Sequence, residues 1–166
     1  MSESLTKIMF DTNVFDSIIE NRCIDELVEL KSRNVEYLIT NVQVDEISVI
    51  SDDEKTKRQK LFSYIVLLQP RHILANSGAW GQSKWGFLTW TRNEEEHMID
   101  DVRKVAKGEN SSRDSLIGVT ALKNADIFVS NDEERTIHLK RIIASKGLKT
   151  KIMNFNEFSK WLKRQS

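Results

Sequence analysis

Short apolar runs suited to β-strands alternate with stretches of helical spacing along this chain, and this alternation restricts the fold more than any other feature. The strand-like runs lie at residues 5–10, 35–39, 126–129 and 149–153. Strands that alternate with helices build βαβ units, and the strands of such units are parallel. The pattern therefore predicts an α/β fold, an α/β/α sandwich around a central parallel sheet of roughly four or five strands.

Helical spacing fills most of the intervals between these runs. Thr40 and Gln43 have the spacing of a capping box, which predicts a helix start directly after the second strand. Asn131 is likewise predicted to cap a helix, with Glu134 completing a capping box. Helices are predicted over residues 14–30 (one or two short ones), 40–50, 52–68, 94–107, 112–123, 131–145 and 156–164.

Length and charge bound the organisation of the chain. Its 166 residues suit one domain, and no linker or repeat divides residues 1–166. The formal net charge is zero. Proteins that coat nucleic acid without specificity usually carry a strong positive excess, so this balance argues against simple coating. It leaves open a nuclease whose acidic centre is neutralised by bound metal.

The cysteine count and the apolar runs predict a cytoplasmic protein. Cys23 is the single cysteine, which excludes an internal disulfide and fits a reducing compartment. A small buried residue is the expected role of Cys23. The first ten residues lack the pattern of a signal peptide, and the longest apolar run, residues 64–68, is far too short to cross a membrane.

Four acidic residues fall near the carboxyl ends of predicted strands or in the first turns of the helices. Asp11 follows the first strand, and Asp132 comes three residues after the strand that ends at Val129. Glu46 lies in the second turn of the helix after the second strand, and Asp114 in the first turn of its helix. Sites of open α/β sheets form beyond the carboxyl ends of the strands, so these acids are expected at one edge.

Carboxylates gathered in this way suit hard divalent cations. Mg²⁺ and Mn²⁺ prefer carboxylate and water oxygens, and such ions support phosphodiester cleavage by activating water. His72, His97 and His138 are scattered and have no zinc-like spacing. The residue types therefore favour a Mg²⁺ or Mn²⁺ site over a zinc site.

Each acid also has a simpler interpretation. Asp11 could cap the helix that follows it, and Glu46 could be an exposed helix residue. Asp114 and Asp132 could be first-turn acids that the helix dipole favours. Taken singly, these interpretations are better supported than catalysis. The ordered set of four is what favours a site.

Three ordered motifs resemble the PIN-domain family, in particular the toxin ribonucleases of the VapBC type. The first is IMFDTNVF at residues 8–15, an apolar strand followed by Asp-Thr-Asn. The second is LITNVQVDEI at residues 38–47, a strand, a polar turn and a helix. The third is RDSLIGVTALKNADIFVSND at residues 113–132, which ends in Ser-Asn-Asp. Each motif alone is weak, whereas the set spans nearly the whole chain in the family's order.

The resemblance implies endonucleolytic cleavage of RNA in a metal-dependent site. It implies an antitoxin or inhibitor protein as a partner, and a homodimer. It implies Mg²⁺ or Mn²⁺ held by Asp11, Glu46, Asp114 and Asp132, with Thr12, Asn13 and Ser130 in supporting positions.

Residues 70–93 depart from the family pattern and are predicted to be an irregular, Trp-rich segment. Trp80, Trp85 and Trp90 lie there among several cations. Packing of a small satellite core is the first interpretation. Docking of a partner protein is the second, because Trp is enriched in binding hot spots. Stacking of RNA bases is the third.

Three other functions compete with the ribonuclease. A haloacid-dehalogenase-like phosphatase would need a second Asp two residues after Asp11, where this chain has Asn13. A receiver domain would need paired acids after the first strand. A non-catalytic PIN-like module that binds RNA or protein remains the main alternative, although such modules usually lose one or more of the acids that this chain keeps.

Overall fold

The computed structural model describes residues 5–75 and 111–165. Over these residues the strands are β1 (Thr6–Phe10), β2 (Val35–Thr40), β3 (Arg71–Ile73), β4 (Ile127–Val129) and β5 (Lys151–Met153). The helices are α1 (Val14–Asn21), α2 (Ile24–Lys31), α3 (Asn41–Ser48), α4 (Lys55–Leu68), α5 (Ser111–Asn124), α6 (Glu133–Lys146) and α7 (Phe155–Leu162), and a 3₁₀ turn (Asp52–Glu54) precedes α4.

The five described strands form one parallel sheet in the order β3-β2-β1-β4-β5. In the central pairs, Met9 is opposite Leu38 of β2 and Phe128 of β4. The prediction of a central parallel sheet of four or five strands is therefore confirmed.

The direction of the strand order reverses at β1. The chain moves from β1 outward to β2 and β3, and β4 then pairs with the opposite side of β1. In open α/β sheets, a crevice opens outside the carboxyl ends of the strands at such a reversal, and ligands bind there. The residues that follow β1 and β4 therefore occupy the place where a site is expected.

Apolar cores on both faces of the sheet complete the α/β/α sandwich. Ile8 and Phe10 point to the face covered by α1, α2, α4 and α7, whereas Met9, between them, points to the face covered by α5 and α6. The second core is tight where α5 meets α6, because a Cβ added at Gly118 would come within 3.2 Å of Leu139. Buried apolar surface on both faces fixes the strands that carry the site.

One of the two predicted capping boxes is correct. Thr40 accepts from the backbone N–H of Gln43, and the Gln43 side chain accepts from the backbone N–H of Thr40. The prediction that Asn131 caps the next helix was wrong. Asp132 is the N-cap of α6, and its side chain accepts from the N–H of Arg135, so Glu134 does not occupy the capping-box position.

The prediction for residues 70–93 was wrong at its start. Arg71–Ile73 forms the edge strand β3, which pairs with β2. The Trp-rich part, and the helix predicted at residues 94–107, lie outside the described residues. Within the described residues, no helix is long and apolar enough to cross a membrane.

Cys23 has the buried position that was expected. Its thiol is 8% exposed, and burial raises its pKa to about 11. Because the thiolate is the nucleophilic form, Cys23 is unsuited to nucleophilic chemistry.

Candidate acidic site

All four predicted acids line one cavity of about 540 Å³ at the carboxyl edge of the sheet. They reach it from four different parts of the fold: the end of β1, the second turn of α3, the first turn of α5 and the N-cap of α6. The expected gathering is therefore observed. The role of these residues as metal ligands stays a prediction. The four are Asp11, Glu46, Asp114 and Asp132.

Asp11 lies deepest in the cavity, with 2% of its surface exposed. Its backbone N–H donates to Val129 at 2.8 Å, which joins the ends of β1 and β4. One side-chain oxygen, Oδ1, accepts from the N–H of Thr12 at 2.9 Å. The other, Oδ2, accepts from the hydroxyl of Ser130 at 2.7 Å and from the guanidinium of Arg135. Asp11 does not cap α1, whose N-cap is Asn13.

Arg135 is the site residue that the sequence analysis missed. It lies in the first turn of α6 and is 8% exposed. Its Nη2 pairs with Asp11 and lies 3.7 Å from Asp132, while its Nη1 lies 3.3 Å from Asp114 Oδ1. One guanidinium therefore contacts three of the four predicted acids.

Asp132 and Asp114 are more accessible, with 39% and 38% of their side chains exposed. Asp132 uses Oδ1 to cap α6 and turns Oδ2 toward Arg135. Asp132 can therefore cap α6 and face the cavity at the same time, because it uses a different carboxylate oxygen for each. Asp114 points into the cavity from the first turn of α5, where the helix dipole favours an acid.

Glu46 reaches the cavity from the side of α3. Its Oε2 accepts from the hydroxyl of Thr12 at 2.6 Å, which ties α3 to the turn after β1. Gln43, one turn earlier, strengthens that connection because its Nε2 donates to the carbonyl of Phe10 at 2.6 Å. The helix that carries Glu46 is thereby fixed to the strand that carries Asp11.

The three predicted supporting residues link the ends of β1 and β4. Thr12 and Ser130 contact Asp11 directly. Ser130 also accepts from the N–H of Asp132 at 3.2 Å, and Asn13 accepts from the N–H of Asn131 at 3.3 Å. These bonds fix the positions of Asp11 and Asp132 relative to each other.

Burial raises the pKa of Asp11, while Arg135, Ser130 and the Thr12 N–H oppose that shift by stabilising the carboxylate. Three donors point at the two oxygens of Asp11, and a guanidinium does not lose its proton in a protein. These three donors therefore favour the carboxylate form of Asp11. Burial also raises the pKa of Glu46, with the charges of Asp114 and Asp11 adding to the shift.

The raised pKa of Glu46 predicts how Glu46→Gln will behave. Between the ordinary pKa of Glu46 and its raised pKa in the folded chain, the folded chain holds a proton that the unfolded chain has lost, so stability falls as pH rises through this window and stays lowered above it. The metal-free variant should therefore unfold at a higher temperature than the wild type in neutral buffer. That advantage should shrink as pH falls and Glu46 is protonated.

Thermal melts over a neutral-to-acid pH series would measure this difference. Glu26→Gln, at an exposed position of α2, is the matched control and should show no comparable change. A difference in melting temperature between wild type and Glu46→Gln that stays the same at every pH would contradict the raised pKa of Glu46.

The donor set of the cavity fits a hard divalent cation in its chemistry. Five carboxylate side chains line it, the four predicted acids and Asp16, and His and Cys are not among the lining residues. Within the described residues, however, no three such side chains are arranged as a metal site. The guanidinium of Arg135 stands among Asp11, Asp114 and Asp132 instead.

The fold and the position of this cavity define an α/β protein with an acidic site where the strand order reverses. A similar solved structure is the crystal structure of VapBC2 from Rickettsia felis bound to a DNA fragment from their promoter. The match covers 90% of this chain and 99% of the matched chain, at 16% identity and a TM-score of 0.52. This likeness concerns the fold alone. No protein-family model and no curated protein matches the chain.

Proposed function

We propose that residues 1–166 form one PIN-like domain that is a metal-dependent endoribonuclease. The observation that carries the proposal is the convergence of four acids, from four separate elements, on one cavity at the reversal of the strand order. Structural acids at strand and helix ends need not share a cavity. Acids that hold a catalytic cation must do so.

Asp11, Glu46, Asp114 and Asp132 would hold Mg²⁺ or Mn²⁺, which would supply charge stabilisation to the phosphodiester and lower the pKa of water. The chain positions the acids for this role. Ser130 and the Thr12 N–H orient Asp11, and the Thr12 hydroxyl orients Glu46.

The rim of the cavity supports a nucleic-acid substrate. Lys57 and Arg113 line it beside the acids and supply positive charge for phosphate groups. Lys57 is already 3.1 Å from Asp16, so its charge is partly neutralised without substrate. Two rim cations and zero net charge fit local capture of RNA better than broad coating.

The partner assignment rests on the VapBC2 complex. That structure holds VapBC2 bound to a DNA fragment from the promoter, which supports an antitoxin as the partner of this chain and a toxin role for the chain itself. A homodimer is proposed on the family resemblance alone. The cytoplasmic location is proposed because Cys23 is a single buried thiol.

Cleavage of a mixed RNA pool by wild type and Asp114→Asn tests the function. The wild type with Mn²⁺ should produce fragments, and EDTA should prevent them. Asp114→Asn should lose cleavage and remain folded, because Asp114 is partly exposed and only one of three acids beside Arg135. If Asp114 were only a first-turn helix acid, the substitution would instead cost about 0.5–1 kcal/mol of stability and leave cleavage intact. Asp53→Asn, outside the cavity, is the matched control.

A non-catalytic module that binds RNA or protein is the second candidate, and Arg135 is the observation that favours it. Three of the acids already have a cationic partner within the chain, as structural acids would. A band shift of RNA that persists in Mn²⁺, with no fragments formed, would support this candidate over the nuclease.

A further inference from the structure

We propose that Arg135 is an internal counter-ion that competes with the divalent cation for the acids of the cavity. In the metal-free chain its guanidinium pairs with Asp11, Asp114 and Asp132, and it withdraws from them when the cation binds. The inference rests on the proposed metal dependence. It adds that metal binding is opposed by a residue of the chain itself.

The charges in the cavity require a counter-ion. Asp11 is almost completely buried, and an isolated buried carboxylate is strongly disfavoured. Asp114 and Asp132 bring two more carboxylates to the same guanidinium. Removing Arg135 without replacement would leave these like charges facing one another, which destabilises the folded state.

The cation and Arg135 need the same oxygen atoms. A carboxylate offers about four lone-pair positions, and Asp11 already accepts from Thr12, Ser130 and Arg135. Its Oδ2 receives both Ser130 and Arg135. A cation bound to Asp11 would also lie close to the positive guanidinium. Binding to Asp11 is therefore opposed while Arg135 stays in place, because Oδ2 is filled and a cation on Oδ1 would face the guanidinium.

Two features indicate that Arg135 is held in place by the acids and can leave. Its Nε is buried and has no hydrogen-bond partner among the described residues, so burial of this side chain is incompletely compensated. It also lies in the first turn of α6, where the helix dipole disfavours a cation. Once a metal ion neutralises the acids, little remains to hold the guanidinium there.

The test measures Mn²⁺ affinity by electron paramagnetic resonance of free Mn²⁺, together with thermal melts, for wild type and Arg135→Met. Methionine keeps much of the length and removes the charge. We expect Arg135→Met to melt below the wild type without metal, to bind Mn²⁺ at least about tenfold more tightly, and to recover its melting temperature when Mn²⁺ is added. Arg58→Met is the matched control, because Arg58 pairs with Asp52 away from the cavity acids.

Unchanged or weaker Mn²⁺ binding by Arg135→Met would overturn the inference. If that variant does not fold without metal, Arg135→Lys replaces it. Lysine keeps the charge but cannot make the forked contact with several acids. Arg135→Lys should therefore bind Mn²⁺ more tightly than the wild type and less tightly than Arg135→Met in the presence of metal. Binding equal to or weaker than wild type would again overturn the inference.

RNA cleavage separates this inference from the proposed function. A wild type that cleaves RNA only with Mn²⁺, combined with no gain in affinity in Arg135→Met, would overturn the inference and leave the nuclease intact. A gain in affinity without RNA cleavage by the wild type would support the counter-ion and overturn the nuclease.

Discussion

Asp11→Asn is expected to reduce Mn²⁺-dependent RNA cleavage by more than about a hundredfold, beyond the roughly 10–100-fold that loss of an outer-shell partner costs. Asp11 is the most buried of the four acids and the only one in contact with Thr12, Ser130 and Arg135 together. An amide removes the negative charge and places an N–H₂ group where donors already converge. The variant should therefore fail to bind the cation and should lose the hydrogen bonds that Thr12, Ser130 and Arg135 donate to Asp11.

The same change should also destabilise the metal-free chain. Arg135 keeps its charge after Asp11 is neutralised, and breaking one side of a buried ion pair costs about 3–5 kcal/mol. Melts must accompany the cleavage assay, which should be run well below the midpoint of the variant. Asp53→Asn controls for the loss of an exposed acid. An Asp11→Asn chain that cleaves RNA at the wild-type rate would remove Asp11 from the site.

Gln43→Leu is expected to lower stability by about 3 kcal/mol, because the carbonyl of Phe10 and the N–H of Thr40 would each lose a buried partner, at about 1–3 kcal/mol apiece. Gln43 is fully buried, donates to the carbonyl of Phe10 and accepts from the N–H of Thr40. Leucine fills a similar volume but supplies neither bond. For a chain of this length, the loss corresponds to a fall in the melting temperature of roughly 6–12 °C.

Gln59→Leu is the matched control, because Gln59 is exposed on α4 and the same substitution there removes no buried bond. Thermal melts of the two variants against wild type would measure the difference. Equal midpoints for the two would show that the bond between α3 and β1 contributes little. In that case Gln43 would not fix Glu46 relative to Asp11.

The fold could be predicted because its signals are local. Strand faces alternate between Ile8, Met9 and Phe10, and the connections between strands are helical, so the parallel sheet follows from the pattern. The edge strand β3 could not be found in this way. It has three residues, Arg71–Ile73, and two of them are exposed and polar. It forms through backbone pairing with β2, which the local pattern of the segment does not indicate.

Three of the acids could be predicted because they follow a strand or begin a helix, and Glu46 because it lies in the second turn of the helix after β2, in the order that the family resemblance implies. Arg135 could not, since in sequence it is one of several cations in α6, alongside Lys140 and Arg141. Its position depends on the helix start. With Asp132 as the cap, Arg135 is the third residue of α6 and lies in the first turn, where a cation is disfavoured unless acids hold it.

The initial rate of cleavage of single-stranded RNA, measured as Mn²⁺ is added back to chelator-treated protein, distinguishes a metal-dependent ribonuclease from a binding module. We expect no cleavage without metal, a rate that rises and saturates with Mn²⁺, and no such rise in Asp114→Asn. Cleavage that is undiminished in excess chelator, or that rises equally in Asp114→Asn, would contradict the assignment of a metal-dependent ribonuclease to this cavity.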